Sequence, residues 1–521
     1  MILNISKNIH FPVKYRHVSR ASNVVGSLEE NNGSPQVAKP DEQSIRSFDE
    51  IAGPKSYPVI GTLYKYMPLI GDYDVEALDK NAWLNWRRYG SLVRETSGVR
   101  VLHVFDPEDI EVVFRQPDRY PARRSHVAMY HYRTNKPDVY NTGGLLSTNG
   151  PDWWKLRSAF QKNFTSPQSV KSHIESTDEV MKDFVQWIKD TKVTHNEDFL
   201  PYLSRLNLEV IGMVAFNERF QSFSPQEQEP GSRSSRTIEA AFGSNCGIVK
   251  LDKGFLWKIF HTPLYKKLAD SQEYLEKVST DILLKKVDFF ECTERNNKSL
   301  LEHFLQQPNL DLKDIMGIMV DILMAAIDTT AYATSFALYH ISRNPEIQAK
   351  LFSEVVTLLP TKDSKITSDV ISNANYVRSC IKESLRLNPV SIGVGRLAQK
   401  DFILKGYLIP KGTVIVTQNM VASRLPQYIN DPLNFKPERW LRGSKDYENI
   451  HPFLSLPFGF GPRSCIARRL AEQNMCIVLI RMIREFDMKW MGDELGIRTL
   501  LVNKPDKPEL HVPRLYYERR Q

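Results

Sequence analysis

The spacing of apolar and polar residues divides the chain into a β-containing start, a long helical middle and a β-containing end. Residues 91–105 hold two short alternating runs, and apolar positions at helical spacing follow Asp106-Pro107. This pattern predicts two strands and then a helix. From about residue 150 to 390 helical periodicity dominates, and short β-like runs return between Gly393 and about Asn419.

A Pro-rich irregular stretch then runs to about Pro457, and one more helix and a β-rich tail follow. The segment Ser224–Arg236, SPQEQEPGSRSSR, is predicted to be a polar loop. No internal repeat or linker interrupts the pattern. We therefore expect one domain, residues 46–521, that is mainly α-helical with small β-sheets (α+β).

The first 45 residues have a different composition. They contain no acidic residue before Glu29 but carry Lys7, Lys14, Arg16 and Arg20, which is typical of a mitochondrial transit peptide. A disordered basic tail is the alternative. The segment lacks the apolar core of a secretory signal, and the chain has no run of about eighteen apolar residues, so no membrane-spanning helix is expected.

Charge and cysteine content narrow the function classes. A net charge of +8 favours acidic partners or anionic membranes. The sequence has no zinc-finger spacing, RNA-binding signature or basic stripe, so nucleic-acid binding is not expected. The five cysteines are scattered and include no CxxC pair, which argues against a disulfide framework and favours a reducing compartment.

Cys465 is the one cysteine with an unusual setting, in FGFGPRSCIARRLAE, Phe458–Glu472. Gly461 permits backbone angles closed to other residues, so the loop can approach a flat ligand. A helix that starts after Cys465 points its N–H groups at the sulfur and favours thiolate, and Arg463 suits a bidentate contact with a carboxylate. Together these features indicate haem; a buried structural cysteine is the alternative.

An apolar stripe from Asp311 to Ser342 predicts one long helix, with the polar residues Asp328 and Thr329 in its middle. A helical threonine can bond back to the carbonyl four residues earlier and loosen the turn. Beside two small alanines, this predicts a groove in which an acid and an alcohol relay protons to a small ligand. The alternative is a threonine satisfied within the core.

Two further pairs of residues have helical spacing. Glu383 and Arg386, three apart, share a helix face and can form a buried ion cluster with Arg439, whereas a surface pair is the alternative. Trp153 and Arg157, four apart in WWKLR, can both bind a carboxylate. The alternative for the latter pair is a core tryptophan beside a surface arginine.

Taken together, and in their order along the chain, these motifs resemble the cytochrome P450 superfamily over nearly the whole folded region. The resemblance implies the P450 fold around haem b, with Cys465 as the axial thiolate ligand of the iron, a ligand that favours O–O cleavage. It also implies that Asp328 and Thr329 deliver protons to dioxygen. Glu383, Arg386 and Arg439 would form the structural triad of the family. The implied haem-binding residues are Trp153, Arg157, Arg396, Phe458, Arg463 and Cys465.

Two positions depart from the common family pattern, which has Gly where Ala326 and Ala467 stand. Arg378 and Lys382 match the basic pair with which mitochondrial P450s bind an acidic, adrenodoxin-like ferredoxin; a solvated helix face is the alternative. The resemblance to this branch implies a mitochondrial enzyme on the matrix side, peripherally attached to the inner membrane. Its electrons would come from NADPH through ferredoxin reductase and ferredoxin.

The region from about Arg123 to Arg157 is similar to insect mitochondrial P450s of moulting-hormone synthesis, closest to the ecdysteroid 22-hydroxylases. This implies a steroid substrate, an ecdysteroid precursor of ecdysone, with Ser125–Thr148 lining part of its pocket. Insect mitochondrial P450s that oxidise xenobiotics and the ecdysteroid 2-hydroxylase share the framework and are the alternatives. A haem sensor or carrier, or a P450 that rearranges peroxides, is disfavoured by the pair Asp328 and Thr329.

Overall fold

The structure of the protein is a computed structural model that describes residues 45–96, 98–116, 118–191, 198–254, 256–290, 298–499, 502–506 and 509–511. The predicted leader therefore lies, up to residue 44, outside the described residues. The helices in chain order are α1 (Leu78–Tyr89), α2 (Pro107–Phe114), α3 (Val127–Thr134), α4 (Gly144–Ser147), α5 (Gly150–Thr165), α6 (Pro167–Lys171), α7 (Ile174–Thr191), α8 (Leu200–Ile211), α9 (Pro225–Gln228), α10 (Arg233–Cys246), α11 (Ile248–Lys253), α12 (Pro263–Phe290), α13 (Leu300–Leu305), α14 (Leu312–Ser342), α15 (Pro345–Leu358), α16 (Ser368–Asn373), α17 (Asn375–Leu387), α18 (Asn419–Ala422) and α19 (Arg468–Glu485). The strands are β1 (Leu92–Thr96), β2 (Arg100–Val104), β3 (Gly395–Leu397), β4 (Phe402–Leu404), β5 (Tyr407–Ile409), β6 (Val414–Thr417), β7 (Lys489–Trp490), β8 (Gly496–Thr499), β9 (Asn503–Asp506) and β10 (Leu510–His511).

The long helix predicted from Asp311 is α14, whose 31 residues span about 45 Å. Asp311 caps it, because its carboxylate accepts the N–H groups of Lys313 and Asp314. By length and composition alone, α14 is long and apolar enough to cross a membrane. Because 78% of its most apolar window is buried, α14 serves as the core helix, in contact with α8, α10, α12 and α17.

The predicted strands are confirmed, and the largest sheet has the order β1-β2-β6-β3. β2 and β6 pair in parallel with Leu102 opposite Ile415, while β3 pairs antiparallel with β6. This pairing places Arg396, in the middle of β3, opposite Ile415 in a sheet that takes two strands from the start of the chain and two from residues 395–417. The start and end of the chain therefore meet beside the site described below.

The predicted polar loop Ser224–Arg236 is wrong in part. Two helices occupy most of it, because Pro225 fits the first turn of α9 and Ser232 caps α10 by accepting the Ser235 N–H. The sequence pattern hid these helices because their exposed residues are polar and glycine separates them.

Candidate active site

The loop before α19 presents Cys465 to the interior of the protein. Gly459 and Gly461 have φ angles of +73° and +71°, a left-handed conformation that other residues rarely adopt. The Cys465 N–H donates to the Phe458 carbonyl oxygen at 2.8 Å and closes the loop, and Phe458 packs half-buried against the core. The Cys465 side chain is exposed although protein atoms crowd around it, so its sulfur has open space beside it.

α19 begins three residues after Cys465, at Arg468, rather than immediately after it. The Ala467 N–H still donates to the sulfur. Burial raises the pKa of the Cys465 thiol, and the Ala467 N–H and the charge of Arg157 act against that rise. The Ala467 N–H thus acts in the predicted direction, towards thiolate, but burial outweighs it. A metal ion reverses the balance, because it deprotonates a coordinating thiol outright.

Two of the predicted haem-binding arginines reach this loop from distant elements. Arg157 of α5 donates Nη1 to the Ser464 carbonyl oxygen at 2.9 Å. Arg396 of β3 donates Nη2 to the Phe460 carbonyl oxygen at 2.8 Å. Both side chains are buried, and the charge of Arg157 acts on Cys465.

Arg463 and Trp153, also predicted to bind haem, form one stacked unit. The Arg463 guanidinium lies 3.8 Å from the centre of the Trp153 ring, within range of a cation–π interaction. It donates Nε to the Pro121 carbonyl oxygen at 2.8 Å and Nη2 to Thr148 and Asn149 oxygens at 2.7 and 2.6 Å. Its buried Nη1 has no partner among the described residues, so one donor is free for a ligand.

A fourth arginine, Arg123, joins this group, although the sequence did not single it out. Its Nε and Nη2 donate to the Leu146 carbonyl oxygen at 3.2 and 2.7 Å. Its charge acts on Arg157, Arg396 and Arg463. We call these four residues the guanidinium cluster.

The guanidinium cluster has an excess of positive charge. Burial lowers the pKa of all four members, and repulsion from Arg123 lowers those of the other three further. The hydrogen bonds described above end on neutral oxygens, and Asp118 is the acid that acts on Arg396 and Arg463. Because a guanidinium keeps its proton in proteins, the site favours an anionic ligand. Two carboxylates, as in the propionates of haem, fit this cluster.

The middle of α14 also opens towards an internal space. Ala325, Ala326, Thr329 and Thr330 are partly exposed, although their neighbours on the helix are buried. The Thr329 hydroxyl donates to the Ala325 carbonyl oxygen at 2.7 Å, as the sequence predicts. These four residues form the predicted groove of small and hydroxyl side chains.

Asp328 is buried, with 3% of its surface exposed. Burial raises the pKa of Asp328 to about 7, against the opposing effects of the Asn245 amide and the Lys504 charge. Its carboxylate faces Asn245 of α10, whose Nδ2 lies 3.5 Å away and donates to the Met324 carbonyl oxygen at 2.9 Å. At neutral pH this acid can therefore both donate and regain a proton.

The predicted ion cluster is present and buried. Arg386 donates Nε and Nη2 to the two Glu383 oxygens at 2.9 and 2.8 Å, and Arg439 donates Nε to Glu383 at 2.9 Å. Trp440 adds a bond to the same carboxylate at 2.9 Å. Burial alone would raise the pKa of Glu383, but the two arginines hold it below its usual range. The cluster fixes α17 to the segment around Pro437–Trp440.

Arg378 and Lys382 lie one turn apart on α17, and both are exposed. Arg378 donates to the Asn375 side chain at 2.6 Å, and the Lys382 ammonium lies 5.9 Å from the Trp440 ring centre. The pair therefore has the exposure and helical spacing that a docking surface requires, directly beside the buried Glu383.

The segment Ser125–Thr148, predicted to line the pocket, is fixed to α14. Arg133 of α3 donates Nη1 to Asp321 of α14 at 2.7 Å, and both side chains are buried. The Leu145 N–H donates to the same carboxylate at 2.8 Å. Because this segment also accepts hydrogen bonds from the guanidinium cluster, it connects that cluster with α14.

The same segment is held by α11. The Asp252 carboxylate accepts the N–H groups of His126 and Val127, at 2.8 and 2.7 Å, where α3 begins. Burial raises the pKa of Asp252 to about 6, against these two bonds and the charge of Arg124. Asp252 thus joins two stretches of chain 125 residues apart.

Comparison with known proteins agrees with this site. The sequence model of the family "Cytochrome P450" matches residues 51–512. The mitochondrial cytochrome P450 302a1 of Drosophila melanogaster is 44% identical over 91% of this chain and 96% of its own length. The probable mitochondrial cytochrome P450 12d1 proximal of the same species is 30% identical over 88% of this chain and 90% of its own length. Ecdysone 20-monooxygenase, also from Drosophila melanogaster, is 28% identical over 86% of this chain and 85% of its own length.

Proposed function

The chain belongs to the cytochrome P450 family of haem-thiolate monooxygenases, and we propose that it is a mitochondrial member that hydroxylates carbon 22 of an ecdysteroid precursor. The observation that carries the catalytic part is the exposed Cys465 on its glycine loop beside the guanidinium cluster. This arrangement supplies one thiol, which a bound metal would deprotonate, and several buried cations, which suits an iron porphyrin with two carboxylates.

Within this proposal, Cys465 holds the haem iron, and the guanidinium cluster with Trp153 holds the propionates. Gly459 and Gly461 let the loop lie flat against the ring. When bound, the haem supplies the activation of dioxygen, and its thiolate ligand favours O–O cleavage. Each hydroxylation consumes one dioxygen, two electrons and two protons and yields the alcohol and water.

Thr329 and Asp328 deliver those protons. The Thr329 hydroxyl lies at the partly exposed groove of α14, and its bond to Ala325 leaves its oxygen free to accept from a water molecule. Asp328, with a pKa of about 7, gives up a proton and takes another from solvent between turnovers. A haem carrier needs neither property, so this pair favours a monooxygenase.

The assignment of an ecdysteroid substrate rests on resemblance and on one name among the relatives, that of ecdysone 20-monooxygenase. The location of Ser125–Thr148 between the guanidinium cluster and α14 is consistent with a pocket wall. The apolar residues of α14 supply the complementary wall for a sterol-like molecule.

Mitochondrial location and a ferredoxin partner are supported by relatives that are named mitochondrial. Arg378 and Lys382 provide the exposed basic surface for an acidic ferredoxin. Docking there places the electron donor beside α17, on the side of the protein that carries the buried ion cluster and α19.

Peripheral membrane attachment is supported by two exposed apolar segments. Leu69 and Ile70 lie in one, and Ile259 and Phe260 lie in the other, with 64% and 67% of their surfaces exposed. Exposed apolar segments such as these suit a lipid surface. Replacing Ile259 and Phe260 by Asn should release the protein from vesicles that contain anionic lipids.

The experiment that tests the proposal supplies the holoenzyme with a mitochondrial ferredoxin, its reductase, NADPH and an ecdysteroid precursor lacking the 2- and 22-hydroxyls. One oxygen at C22, located by NMR, is the expected result. Oxygen at C2 would make the enzyme a 2-hydroxylase. Turnover of unrelated apolar compounds but not of the ecdysteroid would make it a detoxifying enzyme.

A matched variant tests the proton pair on the same substrate. In Thr329→Ala, consumption of NADPH should continue while product per NADPH falls several-fold, because proton delivery no longer keeps pace with the supply of electrons. The haem–CO spectrum should be unchanged. Full coupling in this variant would remove Thr329 from the mechanism.

A further inference from the structure

A pocket of about 60 Å³ lies beside Arg396, between the end of α2, the strand β3 and the loop that carries Cys465. It is separate from the space at the sulfur, because neither Cys465 nor Trp153 lines it. Arg396 is 9% exposed, whereas Lys400 and Phe460, which also line the pocket, are exposed. The pocket therefore extends from a buried guanidinium to the protein surface.

Arg396 is held in place there without a negatively charged partner. It donates Nη1 to the Gly395 carbonyl oxygen at 2.9 Å and Nη2 to the Phe460 carbonyl oxygen at 2.8 Å. Its guanidinium carbon lies 4.7 Å from the centre of the Phe114 ring, within range of a cation–π interaction. These contacts fix the side chain, use neutral groups only, and leave Nε without a partner among the described residues.

Asp118 is the acid that lines the pocket. One of its oxygens accepts the Tyr120 N–H at 3.0 Å, and the other accepts the Gln399 side-chain amide. Its charge acts on both Arg396 and Arg463. A single carboxylate thus serves more than one arginine of the guanidinium cluster.

The guanidinium cluster stays positive even after haem is bound. Two propionates and Asp118 supply three negative charges, whereas the cluster supplies four positive ones, because each guanidinium keeps its proton. A buried charge without a counter-ion is costly. Lys400 adds a further positive charge at the surface end of the pocket.

We propose that this pocket binds a short-chain monocarboxylate, with its carboxylate on Arg396 and its alkyl part against the apolar wall. The inference rests on the haem-loaded state proposed above. A single unbalanced charge selects a monoanion over a dianion such as phosphate. The side chains of Val113, Phe114 and Ile415 line the pocket and favour an alkyl group over a halide.

The size of the pocket limits the length of the ligand. At about 15 Å³ for each water-sized position, the pocket holds roughly four water molecules. A carboxylate with about two to four carbons fills that space. A guanidinium binds such a carboxylate through charge-assisted hydrogen bonds, which are the stronger kind.

Calorimetric titration of butyrate into the haem-loaded protein tests the site. We expect one butyrate per protein, and an affinity roughly tenfold above that of acetate because two more methylenes are buried. Chloride and inorganic phosphate should bind more weakly than butyrate. Equal affinity for chloride and butyrate, or no butyrate binding, would overturn the proposal.

Variants at the pocket wall locate the bound butyrate. Gln116→Trp fills the pocket from its partly exposed edge and should abolish binding. Lys400→Gln should weaken binding roughly two- to threefold, and Asp118→Asn, which removes the competing acid, should strengthen it. Lys411→Gln, an exposed lysine outside the pocket, is the matched control and should bind like the wild type. Binding that survives Gln116→Trp unchanged would contradict this location.

Comparison with the haem-free protein separates this site from the positions of the propionates. Butyrate should bind the haem-loaded protein, so binding that haem abolishes would place the carboxylate at the propionate positions and overturn the inference. Haem-loaded protein that shows the thiolate band in its haem–CO spectrum but binds no butyrate would end this inference and leave the proposed function standing. A protein that takes up no haem would end both.

Discussion

Arg463 stacks on Trp153, with 3.8 Å between its guanidinium carbon and the ring centre, across 310 residues of chain. The stack holds the Arg463 guanidinium against the Trp153 ring of α5. Its buried Nη1 has no partner among the described residues. The same two residues were predicted from separate motifs, and the fold makes them one unit of the site.

Loss of this stacked charge should weaken haem binding. In Arg463→Gln we expect haem affinity to fall roughly tenfold or more, because a charge-assisted hydrogen bond to a propionate is removed. The measurement is haem transfer from the variant to an excess of an apo-haem acceptor protein. Arg236→Gln removes a stacked arginine on the Tyr274 ring, 4.1 Å from its centre and outside the site. That control should retain haem like the wild type, and equal losses in both variants would contradict the assignment.

Glu383→Gln should destabilise the protein strongly. The substitution leaves Arg386 and Arg439 as buried charges without their carboxylate, which costs about 3–5 kcal/mol in free energy of unfolding. Urea titration measures it. Glu175→Gln breaks an exposed pair with Lys365 and should leave that free energy nearly unchanged, because solvent screens such pairs. Because the pKa of Glu383 is held below its usual range, its contribution is present at neutral pH and is lost as pH falls through that lowered pKa.

Asp252 should make the attachment of α3 to α11 dependent on pH. Its pKa is about 6 when buried against 3.8 when free, so the closed contact binds the proton more tightly than the open one. The contact is therefore favoured at low pH and weakens as pH rises from about 4 to about 6, by up to roughly 100-fold in the opening equilibrium. Hydrogen exchange at the His126 and Val127 amides, corrected for intrinsic rates, measures this.

Two variants check the same contact. Asp252→Asn, which stays neutral, should show no pH dependence at these amides, and Asp252→Ala should lower their protection at every pH. Asp106→Asn, at the cap of α2, is the control and should leave α3 unchanged. Protection that rises with pH in the wild type would contradict the account.

Lys382→Gln should raise the KM for ferredoxin roughly two- to fivefold, in proportion to one exposed ion pair. Since such pairs are screened, the difference from wild type should shrink at high salt. Haem content should be unaffected. Lys277→Gln, an exposed lysine of α12, serves as the control. If both variants change the KM alike, α17 is not the ferredoxin surface.

Much of the architecture could be predicted because it follows from local patterns. The helix from Asp311, the strands on either side of Gly98, and the pairing of Glu383 with Arg386 all depend on spacings within one element. Bonds such as that of Thr329 to Ala325 are local too.

The remaining features depend on contacts across the chain. Arg123 is brought near Arg396 by a contact distant in sequence, the bond of 2.9 Å from the Leu397 N–H to the Ala122 carbonyl oxygen. The neighbours of Asp328 on α10 and β9 are likewise fixed by packing. Burial, which a local motif does not show, is also the largest influence on the pKa of the Cys465 thiol.

The most direct test of the central claim is the haem–CO difference spectrum of Cys465→Ser beside that of Cys476→Ser, a buried cysteine of α19. If Cys465 is the axial ligand, its variant loses the red-shifted band that marks a thiolate-ligated haem, while Cys476→Ser retains that band in full. A Cys465→Ser protein that keeps the band would contradict the account of this site.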